Sequence, residues 1–259
     1  MYEAAVHHIQ LGSELRLAME RDELEVYYMP IYSPISRKTT GYEALIRWNH
    51  PERGLLPPAY FIEFAEETGL IVRLGEIVLR KACRQMRQWQ KEGMDAFLAV
   101  NISARQFRQG GFVQMVAEIL KETQLSPETL ELEVTESSFL ERSSAALTIL
   151  ESLSGSGIRL SIDDFGTGYS SLSYLKHFPF HTLKIDRSFL FGSEQGQNHE
   201  IIRSIIELAH ALELKVVAEG IETEEQMLLL QGLGCDEMQG YWIGRPVPAS
   251  QIAPKLALP

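Results

Sequence analysis

Eight short apolar or β-branched runs, most of them separated by a segment of helical period, constrain this chain more than any other feature. They fall at residues 25–31, 40–48, 97–102, 130–134, 159–162, 182–185, 215–218 and, more weakly, 237–241. Apolar residues at helical spacing mark Pro58–Thr68, Leu74–Glu92, Phe112–Thr123, Ser144–Leu153, His199–Leu212 and Glu224–Gly232. Strand–helix alternation repeated this often implies a mainly parallel sheet. Eight strands in 259 residues favour a closed α/β barrel of the (β/α)8, or TIM, type, a fold of about 250 residues. The first two runs are joined by a short stretch rich in Ser, Pro, Lys and Thr. No helical crossover fits there, so this first pair is expected to be antiparallel. Before it, Glu14–Glu20 reads as a short helix capped by Ser13. Residues 1–13 read as a linker or N-terminal extension, and 14–259 as one domain.

Charge narrows the partners. The chain has 24 basic and 35 acidic residues, a formal charge of −11. Duplex nucleic acid is held by many Lys and Arg contacts to phosphate, so a nucleic-acid polymer is not an expected partner. A basic membrane-surface patch is disfavoured for the same reason. Cys83 and Cys235 lie far apart, without metal-type spacing. A disulfide framework is not expected, which fits the reducing cytoplasm. There is no apolar run long enough to span a bilayer, and Met1–Gln10 lacks the layout of a signal peptide.

The strand ends carry the chemistry. Glu43, Asn101 and Glu133 lie within the second, third and fourth runs, and the fifth runs into Asp163-Asp164. The sixth contains Lys184 and exits into Asp186; the seventh exits into Glu219, the last at Gln239. One polar residue at a strand end is ordinary. Seven successive strands that each place one there point to the barrel mouth, where strand ends converge. Glu43, Asn101, Glu133, Asp163 and Asp164 are hard oxygen donors, suited to Mg²⁺ or Mn²⁺ rather than zinc. Crowded carboxylates repel one another unless cations intervene, and paired dications form the usual clamp for phosphoester displacement. Lys184 offers a positive charge or, with a lowered pKa, a base. Arg47 shares the alternating face of Glu43 and Leu45; a phosphate contact and a surface ion pair are equally open to it. Glu136 could hold the glycine-rich turn after Asp164, or be solvated.

These residues together resemble the EAL domain. The match runs through Glu43-Ala44-Leu45 with Arg47-Trp48, Asn101-Ile102-Ser103, Glu131–Glu136, Asp163–Ser171, Lys184-Ile185-Asp186, Ala218–Thr223 and Gln239-Gly240-Tyr241. The resemblance covers about Leu15 to Pro248. It implies a bacterial cyclic di-GMP phosphodiesterase, on a modified TIM barrel with an antiparallel first strand. It would hydrolyse one 3′–5′ phosphodiester bond to give linear pGpG.

Carried over by the resemblance, Glu43, Asn101, Glu133 and Asp163 would hold one metal. Asp163 and Asp164 would hold a second, with Glu219 near its water. Lys184 would orient or help deprotonate that water. Arg47 would touch a substrate phosphate, alongside Leu45, Met29 and Gln239 as substrate contacts. Glu136 would hold the loop after Asp164, and Asp186 and Glu222 would support the mouth from behind. A homodimer and an upstream GGDEF or sensory domain are further expectations, the chain being either a fragment or naturally short; a full-length parent could be membrane-anchored. Met29-Pro30 stands where family members commonly have Gln-Pro, and Met cannot make an amide hydrogen bond. The alternative is a receptor of EAL type that binds cyclic di-GMP without useful turnover. A more distant one is an unrelated metal-dependent barrel acting on carbonyl acids.

Overall fold

The computed structural model of the chain describes residues 2–135, 143–166, 172–190 and 195–252. Ten strands form one continuous sheet: β1 Leu24–Ser33, β2 Lys38–His50, β3 Gly54–Leu56, β4 Phe97–Ile102, β5 Leu130–Thr135, β6 Arg159–Phe165, β7 Thr182–Ile185, β8 Lys215–Ala218, β9 Glu237–Met238 and β10 Val247–Pro248. Neighbours run β10-β1-β9-β8-β7-β6-β5-β4-β2-β3, and β1 also pairs β2. That last pairing closes eight strands into a barrel, with β3 and β10 as short additions at the closure.

β1 is antiparallel to both of its barrel neighbours, β2 and β9. The other contacts around the ring are parallel. The cause is local. Only residues 34–37 separate β1 from β2, and the turn closes with Arg37 N–H donating to Ser33 O at 2.8 Å. A parallel return needs a dozen residues or more.

The described helices are α1 Tyr2–Glu20, α2 Ile62–Thr68, α3 Leu70–Lys91, α4 Ala104–Phe107, α5 Phe112–Thr123, α6 Ser143–Gly155, α7 Leu172–His177, α8 Gln195–Ala211 and α9 Glu224–Gly232. α3 shows why they dock. It buries Ile71, Leu74, Val78, Ala82, Met86 and Trp89, three or four residues apart and hence on one face. Four sequence expectations are corrected. α1 begins at Tyr2 rather than Glu14, so most of the expected linker is helical and Ser13 lies inside the helix instead of capping it. Residues 58–68 split into a 3-10 turn, Pro58–Tyr60, and α2. The last strand ends at Met238. β3, β10, α4 and α7 were not expected.

Candidate active site

Inward-facing residues recur every second position along each strand, so one period brings distant residues to the same level of the barrel. In register across neighbouring strands, Asn101 faces Glu133, and Thr135 faces Asp163. The pairing of β6 with β7 shifts between Ile162 and Phe165. Within that shift Asp164 takes a left-handed backbone (φ 54°), a conformation Asp tolerates better than most residues. The irregularity lets consecutive aspartates reach one mouth instead of opposite faces of the sheet. Asp163, Asp164 and Glu219 each offer an oxygen within 4.8 Å of the others, a group able to hold a cation.

Lys184 stands at the centre and is 1% exposed. Its Nζ lies 2.6 Å from Glu219 Oε1, 2.7 Å from Glu133 Oε2 and 3.4 Å from Asp163 Oδ1. Burial alone would pull the ammonium pKa down. Asp163, Glu133, Glu219 and Glu43 outweigh it and push it well above the usual lysine value. Lys184 is therefore held as a cation in this arrangement. Burial likewise drives the Glu133 carboxyl well above its usual value, and Glu219 up to about 8, with Lys184 opposing both and the neighbouring carboxylates adding to the rise. Burial and the adjacent Asp163 raise Asp164. A bound dication would reverse these directions.

Glu43 is fixed from two sides. Asn101 Nδ2 donates to its Oε1 at 2.5 Å, and Gln239 Nε2 donates to its Oε2. The Asn101 amide thus has its oxygen left to offer a cation. Gln239 is buried, and its Oε1 has no hydrogen-bond partner among the described residues. Met29 is the direct cross-strand partner of Glu43 and is 8% exposed. Arg47 lies four residues further along β2. Its Nη1 donates to Ile46 O at 2.8 Å and its guanidinium sits 5.6 Å from the Tyr27 ring centroid.

Other expected residues fare differently. Asp186 caps the 3-10 turn Arg187–Phe189, accepting from Ser188 N–H at 3.0 Å, and adds negative potential at Asp164. Glu222 stays exposed at the start of α9, where its backbone N–H donates to Gln226 Oε1. Glu136 and residues 167–171 lie outside the described residues.

Beside Asn101, Asp163 and Asp164 opens a slot of about 320 Å³. Leu45, Pro58, Ile62, Ile71 and Val78 give it apolar walls, while Glu66 and Gln106 add polar groups. A flat heterocyclic base fits such chemistry. The slot was not legible in the sequence, because its walls come from α2 and α3 as much as from strand ends. A polar layer below the mouth was also missed. Glu131 accepts from Thr182 Oγ1 at 3.1 Å and pairs with Arg159 at 2.9 Å, and Glu237 is buried nearby. The signal existed: Glu131, Thr182 and Glu237 each lie two residues before Glu133, Lys184 and Gln239.

The family model described as "EAL domain" matches residues 13–246. The chain belongs to the EAL domain family. Among its relatives is the bifunctional diguanylate cyclase/cyclic di-GMP phosphodiesterase MucR of Pseudomonas aeruginosa, 47% identical over 255 residues, covering 98% of this chain and 37% of that protein. Another is the cyclic di-GMP phosphodiesterase PdeR of Escherichia coli, 38% identical over 250 residues, covering 96% of this chain and 38% of that protein. The chain thus spans little more than a third of either. A solved structure titled as the PaMucR phosphodiesterase in complex with c-di-GMP superimposes with a TM-score of 0.90 at 48% identity, covering 94% of this chain and all of that one. For an EAL domain, the antiparallel first strand and the acidic mouth form one framework here. No helix among the described residues is long and apolar enough to cross a membrane.

Proposed function

We propose that this EAL domain hydrolyses cyclic di-GMP to linear pGpG. The observation that carries the reading is the convergence of Glu43, Asn101, Glu133, Asp163, Asp164 and Glu219 around Lys184, beside a slot with apolar walls. Relatives named as cyclic di-GMP phosphodiesterases and a ligand-bound structural neighbour support it.

The donor set fits hard dications. It is all oxygen, it crowds five carboxylates, and among the described residues Asp163 Oδ1 is buried with only the long contact to Lys184. Glu43, Asn101, Glu133 and Asp163 would hold one Mg²⁺ or Mn²⁺, and Asp163 and Asp164 a second. Such ions polarise a phosphoryl oxygen and lower the pKa of water.

The protein's own groups do the rest. Lys184 keeps Glu133 and Glu219 aimed at the mouth and contributes positive charge where phosphate must approach. Glu219, anchored to Lys184 through Oε1, would accept a hydrogen bond from the attacking water. Asn101 and Gln239 hold Glu43 in one rotamer. Leu45, Met29 and Gln239 border the substrate, and Arg47 turns toward phosphate from its seat on Tyr27. Glu136 is assigned to holding the loop after Asp164, and Asp186 and Glu222 to supporting the mouth from behind. The same reading carries a cytoplasmic homodimer and a parent protein with further signalling domains.

Chromatography of reaction mixtures tests the reading. Purified protein with Mg²⁺ or Mn²⁺ is expected to convert cyclic di-GMP to pGpG, and a chelator to stop it. Tight binding without product in either metal would instead make this a receptor.

A further inference from the structure

Helix α2, which supplies Ile62 and Glu66 to the slot, is seven residues long and is pinned at both ends. At its C-terminal end Arg105 Nη1 donates to Glu66 O at 2.7 Å and Glu67 O at 3.2 Å. Gly69 ends the helix in a left-handed conformation (φ 78°), where a Cβ would lie 2.9 Å from Arg105 Nη2. Arg105 follows Asn101 closely in sequence, so this pin belongs to the mouth itself.

The other pin comes from outside the barrel. Glu14 on α1 places Oε2 at 3.2 Å from Arg53 Nη2 and 3.5 Å from His50 Nε2. His50 Nδ1 accepts from the backbone N–H groups of Glu52 and Arg53, at 3.1 and 3.2 Å. That assigns the ring proton to Nε2, facing Glu14. Gln10 Nε2 donates to Glu14 Oε1 at 2.8 Å. Arg53 in turn donates from Nη1 to Tyr60 Oη at 2.9 Å and covers the Tyr60 ring at 5.7 Å. Tyr60 ends the turn Pro58–Tyr60, which leads into α2, and Pro58 and Ile62 are slot walls. α1 also approaches α2 directly: a Cβ at Gly12 would lie 3.0 Å from Phe64 Cζ.

We propose that Glu14 is a positioning residue for the substrate slot, acting from α1 through Arg53 and Tyr60 on the wall formed by Pro58 and Ile62. The inference rests on the slot's being part of the cyclic di-GMP site. Loss of the Glu14 charge frees Arg53, loosens Tyr60 and lets the wall drift. Arg53 is held by Glu14 and Tyr60 on the far side of the slot wall, and the carboxylates around Lys184 keep their own contacts, so chemistry is spared. The ground state and the transition state lose the same contacts, which raises KM and leaves kcat alone. The relay also means that whatever displaces α1 alters substrate affinity.

The test compares Glu14→Gln, Tyr60→Phe and the double variant. Each single change is expected to raise KM for cyclic di-GMP by roughly 3- to 10-fold, with kcat within about twofold of wild type. The double variant is expected to be no worse than the weaker-binding single one, because both break one relay. Unchanged KM in a folded Glu14→Gln protein, loss of kcat, or strictly additive KM effects would overturn the proposal. Hydrogen exchange on the free proteins gives a readout without substrate: residues 58–68 should exchange faster in both single variants. If wild-type protein neither binds nor hydrolyses cyclic di-GMP, the functional reading fails. Exchange then still decides the relay, and unchanged protection over 58–68 refutes it.

Discussion

One ammonium group, on Lys184, faces the carboxylates of Glu133, Asp163 and Glu219. Lys184→Met keeps most of the volume and removes the charge. Turnover is expected to fall by about 10²-fold or more, the usual range for a positioned polar group in catalysis. Breaking a buried pair costs about 3–5 kcal/mol, so urea unfolding in chelator should show a loss of that order. Full activity in this variant would remove Lys184 from the mechanism. Glu43, Asn101, Glu133, Asp163, Asp164, Lys184, Glu219 and Gln239 were all legible as candidates for one mouth, because each lies at or near the carboxyl end of its strand and those ends converge in a barrel. Their mutual contacts were not. That Asn101 and Gln239 grip the two oxygens of Glu43 depends on β2, β4 and β9 meeting around the ring. No local pattern encodes that. Arg47 is a similar case, since its seat on Tyr27 is a cross-strand contact.

Among the elements, the junction of α3 and α4 separates two opposed effects. Ala is normally the better helix former than Gly by about 1 kcal/mol. At Gly75, inside α3, a Cβ would lie 1.7 Å from Gln106 Nε2. Gln106 cannot simply withdraw, because its Oε1 accepts from Ser103 N–H and completes the capping box of α4. Overpacking therefore wins, and Gly75→Ala is expected to destabilise the protein by about 1–3 kcal/mol in a urea titration. A stabilised variant would show that the Gln106 side chain has room to move. The same close packing explains why α1 reads short in sequence. Ser13 has the chemistry of an N-cap, which places the helix start at Glu14. Tertiary contact overrides that weak local preference, because the bare Cα of Gly12 lets α1 lie against Phe64. The antiparallel β1–β2 pair was legible for the opposite reason: the residues between runs 25–31 and 40–48 are too few for a helical crossover, whatever the packing.

At the level of the whole molecule, the −11 charge is unevenly spread. Five of the carboxylates, those of Glu43, Glu133, Asp163, Asp164 and Glu219, are assigned to one mouth with Lys184. Two dications would balance that deficit and admit an anionic dinucleotide to an acidic protein. Metal should therefore stabilise the fold as well as the reaction. At a hundred times its Kd a ligand adds about 2.7 kcal/mol. For a domain near this size that corresponds to a rise in Tm of about 5–10 °C on adding Mg²⁺ or Mn²⁺. The rise should vanish in an Asp163→Asn, Asp164→Asn double variant. An equal shift in that variant would place the ions elsewhere. The central claim is that water is delivered to phosphorus at this mouth. Its most direct test is mass spectrometry of the product formed in ¹⁸O-water with Mg²⁺ or Mn²⁺, for wild type beside Glu43→Gln. Linear pGpG with one ¹⁸O in its terminal phosphate is expected from the wild type, and no product from the variant. Unlabelled product, or equal product from both proteins, would contradict the claim.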